Sequence, residues 1–155
     1  MESARAATSD DLSVIVGLAQ ALRDEVEPTR GGDVWVRQSS ASPSGADLAH
    51  MLGTPAAAIV VGLIDDVIVG YALVRIEILR DSTRLGVVDE LFVEEAARVI
   101  GVGEAIADLI VNWSRDQGCF GVDASALPGN RAAKNFFETH GFVARMIVMH
   151  KALNH

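Results

Sequence analysis

The sequence predicts a single mixed α/β domain with a largely antiparallel central sheet, and three observations predict it. Apolar residues recur at helical spacing in two widely separated stretches. Between them lie consecutive β-rich runs joined by short turns. After them a strand and a further helix alternate. A chain of 155 residues, 50% of them hydrophobic, has the length of one domain and buries roughly 68–70% of its unfolded surface, so residues 1–155 are read as one unit.

Thr8 and Asp11 form a capping-box-like start, after which Leu12, Ile15, Val16, Ala19, Leu22 and Val26 keep one helical face up to Pro28. Residues 27–45 turn to Pro, Gly, Ser and Arg and read as a long loop or a broken helix. Trp35 stands isolated there, either a wall of a substrate site or an anchor pinning the loop to the core. Residues 47–52 suggest a short second helix. The runs AAAIVVGLI (56–64) and VIVGYALVRIEIL (67–79) flank Asp65-Asp66 and read as a hairpin, and RLGVVDELFV (84–93) is the next strand. Val102, Ala105, Ile106, Leu109, Ile110 and Trp113 then follow the i, i+3, i+4 rule until Gly118. CFGVDASAL (119–127) is a short strand, residues 130–140 a helix ended by Gly141, and FVARMIVMHKAL (142–153) a final strand.

Thirteen basic against twenty-one acidic residues give a net charge of −8, which argues against nucleic acid as a partner. Fourteen of the acids and seven of the bases lie in the first ninety residues, so any field-driven preference is for cationic molecules. The longest apolar run, residues 56–64, falls well short of the roughly 20 residues that cross a bilayer, and the first residues are acidic where a signal peptide would be apolar. A cytoplasmic location without membrane association is therefore expected. The lone Cys119, in an apolar run, reads as a core residue rather than a nucleophile.

The stretch RVIGVGEAI (98–106) places Gly101 and Gly103 where a strand passes through a turn into a helix. Free amides at such a helix start attract an anion, glycine lets a ligand approach the backbone, and Arg98 adds a cation at the rim. A pyrophosphate fits this arrangement. The Gly-Lys-Ser/Thr ending of a P-loop is missing, and so is the third glycine of a dinucleotide fingerprint.

ELFVEEAARVIGVGEAI resembles the strand, turn and helix of the GCN5-related N-acetyltransferases, whose signature is Arg/Gln-x-x-Gly-x-Gly/Ala, with Arg98, Gly101 and Gly103 matching. NRAAKNFFETHGF resembles the second block of that family through Asn130, Ala133, Phe136, Phe137, Gly141 and Phe142. The resemblance implies an acyl-CoA N-acyltransferase fold and an enzyme that transfers the acetyl group of acetyl-CoA to a primary amine, without a metal. It implies that the backbone of Leu91, Phe92 and Val93 pairs with the pantetheine arm. The pyrophosphate would lie on the amides of Val99, Ile100, Gly101, Val102, Gly103 and Glu104, and the arm would pass Asn130, Ala133 and Phe137. The thioester would lie in a splay between the strand ending at Val93 and the strand around Val122.

The chain departs from that pattern in places. Where family members often hold a tyrosine that protonates the leaving thiolate, this chain has Phe137, and its one tyrosine, Tyr71, lies on the hairpin. Val99 and Ile100 are hydrophobic where the turn is usually small or basic, leaving Arg98 as the nearby cation, and Glu104 is expected to point to solvent. Asp89 and Glu90 are candidate bases of which strand alternation lets only one face the cleft, and Asp123, sharing a strand face with Ser125, is a second candidate. His140 reads as a helix cap. The expected partners are acetyl-CoA and a small-molecule amine, with a homodimer as an allowed assembly. The competing reading is an acyl-CoA-binding module that acts as a sensor or partner subunit.

Overall fold

The computed structural model describes residues 1–38 and 42–153. Five strands form one sheet in chain order: β1 (Glu2–Ala6), β2 (Ala57–Ile64), β3 (Val67–Ile78), β4 (Arg84–Val93) and β5 (Cys119–Ala124). Each pair is antiparallel except β4 with β5, which is parallel. The helices are α1 (Leu12–Val26), α2 (Gly32–Gln38), α3 (Gly45–Leu52), α4 (Val102–Asp116) and α5 (Arg131–Thr139). This is the mixed, mostly antiparallel α/β architecture that the sequence predicts.

Local chemistry explains most boundaries. Thr8 and Asp11 form the expected capping box, the Thr8 amide donating to Asp11 at 2.8 Å, and Arg5 pairs with both Asp11 oxygens, so a charged group tethers the start of α1 to β1. Ser44 and Asp47 cap α3 in the same way. Asp65 and Asp66 both take positive φ (48° and 68°) between the paired residues Ile64 and Val67, the backbone of a two-residue hairpin turn. Part of the segment read as a loop or broken helix is α2, while its residues 39–41 lie outside the described residues.

Two cores sandwich the sheet. Ile15, Leu22, Leu48, Val61, Tyr71, Leu73 and Phe92 pack on the α1–α3 side, and Val60, Ala72, Val74, Val88, Val93 and Ile106 on the α4 side. Helix α4 lies close to the strands because β2 and β3 carry glycine beneath it. A Cβ at Gly62 would stand 2.5 Å from the Val102 side chain, and one at Gly70 would stand 3.3 Å from Ile106.

Two predicted features change. Strand β1 was not expected from ESARA, which is polar and mostly exposed because it is an edge strand. The predicted final strand is absent: residues 142–153 form neither helix nor strand, and Val143, Met146, Ile147, Val148, Met149 and Leu153 are exposed. An alternating apolar run supplies the side chains of a strand, but it becomes one only where an edge is free to ladder with it, and within this chain the segment makes no such ladder.

Candidate active site

The site begins with an irregularity in β4. Leu73 of β3 faces Glu90 and Val74 faces Val88, which leaves Asp89 as an extra, unpaired residue. Such a β-bulge shifts side-chain parity. Val88 therefore belongs to the α4-side core, while Phe92 lies in the α1-side core. Glu90 reaches Arg23 of α1. Asp89 pairs with Arg75, which follows Tyr71 and Leu73 on the same face of β3. Both acids thus look toward the α1 side, correcting the expectation that strand alternation would turn one of them away.

Their surroundings differ sharply. Glu90 is buried, and its two oxygens take three donors: Arg23 Nη1 at 3.1 Å and the Tyr71 hydroxyl at 2.5 Å on Oε1, and Arg23 Nη2 at 2.9 Å on Oε2. Both oxygens of Glu90 are thus held by Arg23 and Tyr71, a charge-assisted pair buried between α1 and the sheet. Tyr71, far from the second motif in sequence, is brought to this network. Burial, then the Glu90 charge, raises its pKa well above the usual range and keeps its hydroxyl protonated. Trp35 packs against the α1-side core with the Arg23 guanidinium 5.4 Å from its ring centre, which places it as an anchor of α2.

Asp89 is different. Its side chain keeps 40% of its surface exposed, and the Nε of Arg75 reaches its oxygens at 2.9 and 3.2 Å. One donor leaves acceptor capacity on both oxygens. Burial raises its pKa above the ordinary carboxylate value, opposed by the Arg75 charge. Asp123 on β5 is held by Arg145 through Nε, at 2.9 and 3.0 Å, and through Nη2.

The sheet opens beside Asp89. β4 and β5 stay in register from Arg84↔Cys119 to Val88↔Ala124, beyond which β4 runs on to Val93 without a β5 partner. The gap therefore opens past Ala124, farther along than the position near Val122 that the sequence suggested. Leu91, Phe92 and Val93 pair on one side with Ala72, Tyr71 and Gly70, and their other edge faces the gap. Part of that edge is occupied, because Arg98 Nε donates to the Val93 carbonyl at 2.8 Å. Arg98 also pairs with Glu25 of α1 at 2.7 and 2.9 Å and lies over the Phe92 ring. It braces the turn against α1 instead of standing free at the rim.

At the end of β4 a 3-10 turn (Glu95–Ala97) leads into α4. Gly101 is the N-cap with φ 96°, a left-handed conformation that glycine tolerates best, and no side-chain hydrogen bond caps the helix. The first α-helical bond runs from Ala105 N to Gly101 O, so the amides of Val102, Gly103 and Glu104 precede the helical ladder. Val99 and Ile100 are exposed on the turn, as is Glu104 on the first helical turn. Gly103 has a packing role besides: a Cβ there would stand 3.0 Å from the Phe136 ring of α5.

Helix α5 follows Asn130, whose side chain accepts from the Ala133 amide at 3.1 Å and so caps the helix. Phe137 packs edge-on against Phe136 and tilts against Phe142, with ring centres 5.4 and 5.2 Å apart. His140 is the C-cap and tilts onto Phe136. Cys119, half-buried, lies on β5. Two loops that sequence reasoning left unconnected meet near the gap. Gly129 donates to the Arg30 carbonyl, and a Cβ on Gly31 would touch Leu127 at 3.4 Å. The only signal in the sequence was turn chemistry, Pro28-Thr29-Arg30-Gly31-Gly32 and Pro128-Gly129, which marks turns without saying what they touch.

Comparison with known proteins bears on the fold and the family. Residues 16–142 match the Acetyltransferase (GNAT) family. Glucosamine 6-phosphate N-acetyltransferase 1 of Oryza sativa subsp. japonica is 31% identical over 80 residues, 52% of this chain and 47% of that protein, so the match spans about half of each. The BH1408 protein of Bacillus halodurans superimposes with a TM-score of 0.83 at 18% identity, covering 97% of this chain and 98% of that one. AAC(6')-Iy, solved in complex with the bisubstrate analog CoA-S-monomethyl-acetylneamine, superimposes with a TM-score of 0.74 at 20% identity, covering 99% of each chain. At such identities the two structures speak for the fold, while the family match covers most of the chain. The chain belongs to the GNAT acetyltransferase family.

Proposed function

We propose that this single domain transfers the acetyl group of acetyl-CoA to the primary amine of a small molecule. The observation that carries the reading is the edge of β4 from Asp89 to Phe92, unpaired with β5, which leads from a carboxylate with a raised pKa toward the uncapped start of α4. The fit to the co-substrate rests on this chain's own groups: the amides of Val102, Gly103 and Glu104 for a diphosphate, and the outer edge of Leu91 and Phe92 for an amide-bearing arm. When bound, acetyl-CoA supplies a thioester acyl group.

The residues then divide the work. Glu90, Arg23 and Tyr71 fix the face of β4 beneath the acceptor, and Trp35 holds α2 over Arg23. Asp89 takes the proton from the acceptor ammonium, a task suited to a carboxylate whose pKa has moved toward neutrality. Asp123 is the weaker candidate because Arg145 occupies it. Phe137 carries no hydroxyl, so the leaving thiolate would take its proton from water or from the nitrogen that has added to the thioester. The net charge of −8 favours a cationic amine. Titration calorimetry with acetyl-CoA, followed by thiol release with a panel of amines, tests the proposal. Binding with amine-dependent release supports it. Binding with release no faster than hydrolysis points to an acyl-CoA-binding module, which the exposed Val99 on the turn and Phe137 would suit. No binding at high micromolar concentration overturns both.

A further inference from the structure

Resting on the reading of acetyl-CoA as donor, we propose that Glu25 and Glu2 determine how tightly the donor is held, each acting as an internal anion against a group that a diphosphate would use. Glu25 engages the guanidinium of Arg98, and Glu2 stands at the start of α4. The donor is then gripped by its arm and acyl end more than by its phosphates.

Residues 94–104, from the end of β4 to the first turn of α4, carry Glu94, Glu95 and Glu104 against one base, Arg98. That base is already engaged. Its Nε donates to the Val93 carbonyl at 2.8 Å, its Nη2 reaches both oxygens of Glu25 at 2.7 and 2.9 Å, and the guanidinium lies 5.5 Å from the Phe92 ring centre. A diphosphate arriving at the amides of Val102, Gly103 and Glu104 therefore meets a cation whose charge Glu25 has balanced. The pair is 36% and 41% exposed, which makes it a weak one, so Glu25 competes with the diphosphate and does not exclude it.

Glu2 comes to the same turn from the far edge of the sheet. It pairs with Ile64, which packs in the α4-side core, and opposed residues of an antiparallel pair share a face, so Glu2 points toward α4. The three atoms nearest to a Cβ built on Gly101 all belong to it: Cγ at 3.4 Å, Oε1 at 3.6 Å and Cδ at 3.7 Å. The Met1 ammonium beside it is taken by Asp65. Gly101 is the N-cap of α4, and no side-chain hydrogen bond caps that helix, so Glu2 acts there through its charge. A carboxylate is favoured by the positive end of the helix dipole, which is the same attraction a phosphate would feel.

Acetyl-CoA and free CoA carry the same diphosphate, so contacts to it bind substrate and product alike and add nothing in the transition state. Two carboxylates that weaken those contacts let product CoA leave faster while the arm and the acyl group still select the donor.

Titration calorimetry with acetyl-CoA, free CoA and S-acetylpantetheine tests the proposal, because the last has the arm and the thioester without the diphosphate. Glu25→Gln and Glu2→Gln are each expected to tighten acetyl-CoA and CoA by the same factor, about two- to fivefold, the effect of one exposed charge in a surface pair or at a helix start. Both are expected to leave S-acetylpantetheine unchanged, and Glu25→Asp, which keeps the charge, to leave all three close to the natural protein. Unchanged or weaker acetyl-CoA binding in either Gln variant would overturn the proposal and leave acetyl-CoA as the donor. Equal tightening of S-acetylpantetheine would overturn it too, by showing that the acids shape the arm site instead. Failure of every form of the protein to bind any of the three ligands would overturn the donor reading along with it.

Discussion

Glu90 and Asp89 are adjacent acids on one strand, and they make opposite predictions. Replacing Glu90 by Gln keeps the shape of the side chain but leaves the buried Arg23 guanidinium without its counter-charge, which is expected to cost about 3–5 kcal/mol in a urea titration. Asp89→Asn breaks a half-exposed ion pair worth ~1 kcal/mol or less, so its stability is expected to change little while turnover falls by about 10²–10⁴. If Asp89→Asn turns over like the natural protein, the base lies elsewhere. With Asp89 as base, kcat/KM rises with pH through a pKa above the ordinary carboxylate value, since the ionised form is the active one. Asp11 behaves in the reverse sense. Its hydrogen bond to Arg5, then the Thr8 amide, hold its pKa down to about 2, so its contribution to stability is present above the unfolded value of about 3.9 and is lost as pH falls from there toward 2. Asp11→Asn is expected to flatten that limb of an acid-unfolding curve. A curve as steep as that of the natural protein would show that Asp11 does not drive it.

At the scale of elements, the sequence made α1 and α4 legible through their apolar periodicity, and the β2–β3 turn through Asp65-Asp66. The bulge at Asp89 left no mark, because no glycine or proline announces it and the register depends on what β3 offers opposite. The partners of Glu90 were hidden for a similar reason: Arg23 and Tyr71 lie 67 and 19 residues away in sequence. The uncapped start of α4 was legible through glycines 101 and 103, yet Gly103 also makes room for Phe136, which spacing alone could not reveal. Glycines in the elements therefore separate into two kinds, and a pair of variants distinguishes them. Gly62→Ala drives a methyl into Val102 and Ile106, 2.5 and 2.7 Å away, and is expected to destabilise by about 1–3 kcal/mol. Gly17→Ala meets nothing within 4 Å on an exposed turn of α1 and is expected to stabilise by up to about 1 kcal/mol. Equal effects in thermal denaturation would mean that α4 does not pack as closely on β2 as the structure has it.

For the molecule as a whole, the two sides of the candidate site are built with unequal firmness. β3, β4, α1 and α4 bring buried residues to the cores, whereas α5 has none, and it meets α4 through Phe136 over Gly103. Elements with few buried apolar contacts open at low free energy, so without ligand the amides of α5 are expected to exchange with solvent well before those of α4. Ligand binding at the start of α4 and along β4 stabilises whichever conformation binds it, by RT ln(1 + [L]/Kd), about 2.7 kcal/mol at a hundredfold excess over Kd. If α5 completes the acetyl-CoA cleft, that stabilisation reaches it, and hydrogen exchange with saturating acetyl-CoA is expected to slow across residues 131–139 by up to about a hundredfold. If α5 takes no part, binding slows exchange at residues 101–105 and along β4 but leaves residues 131–139 unchanged. That outcome would remove Asn130, Ala133 and Phe137 from the co-substrate site while leaving the diphosphate turn in place.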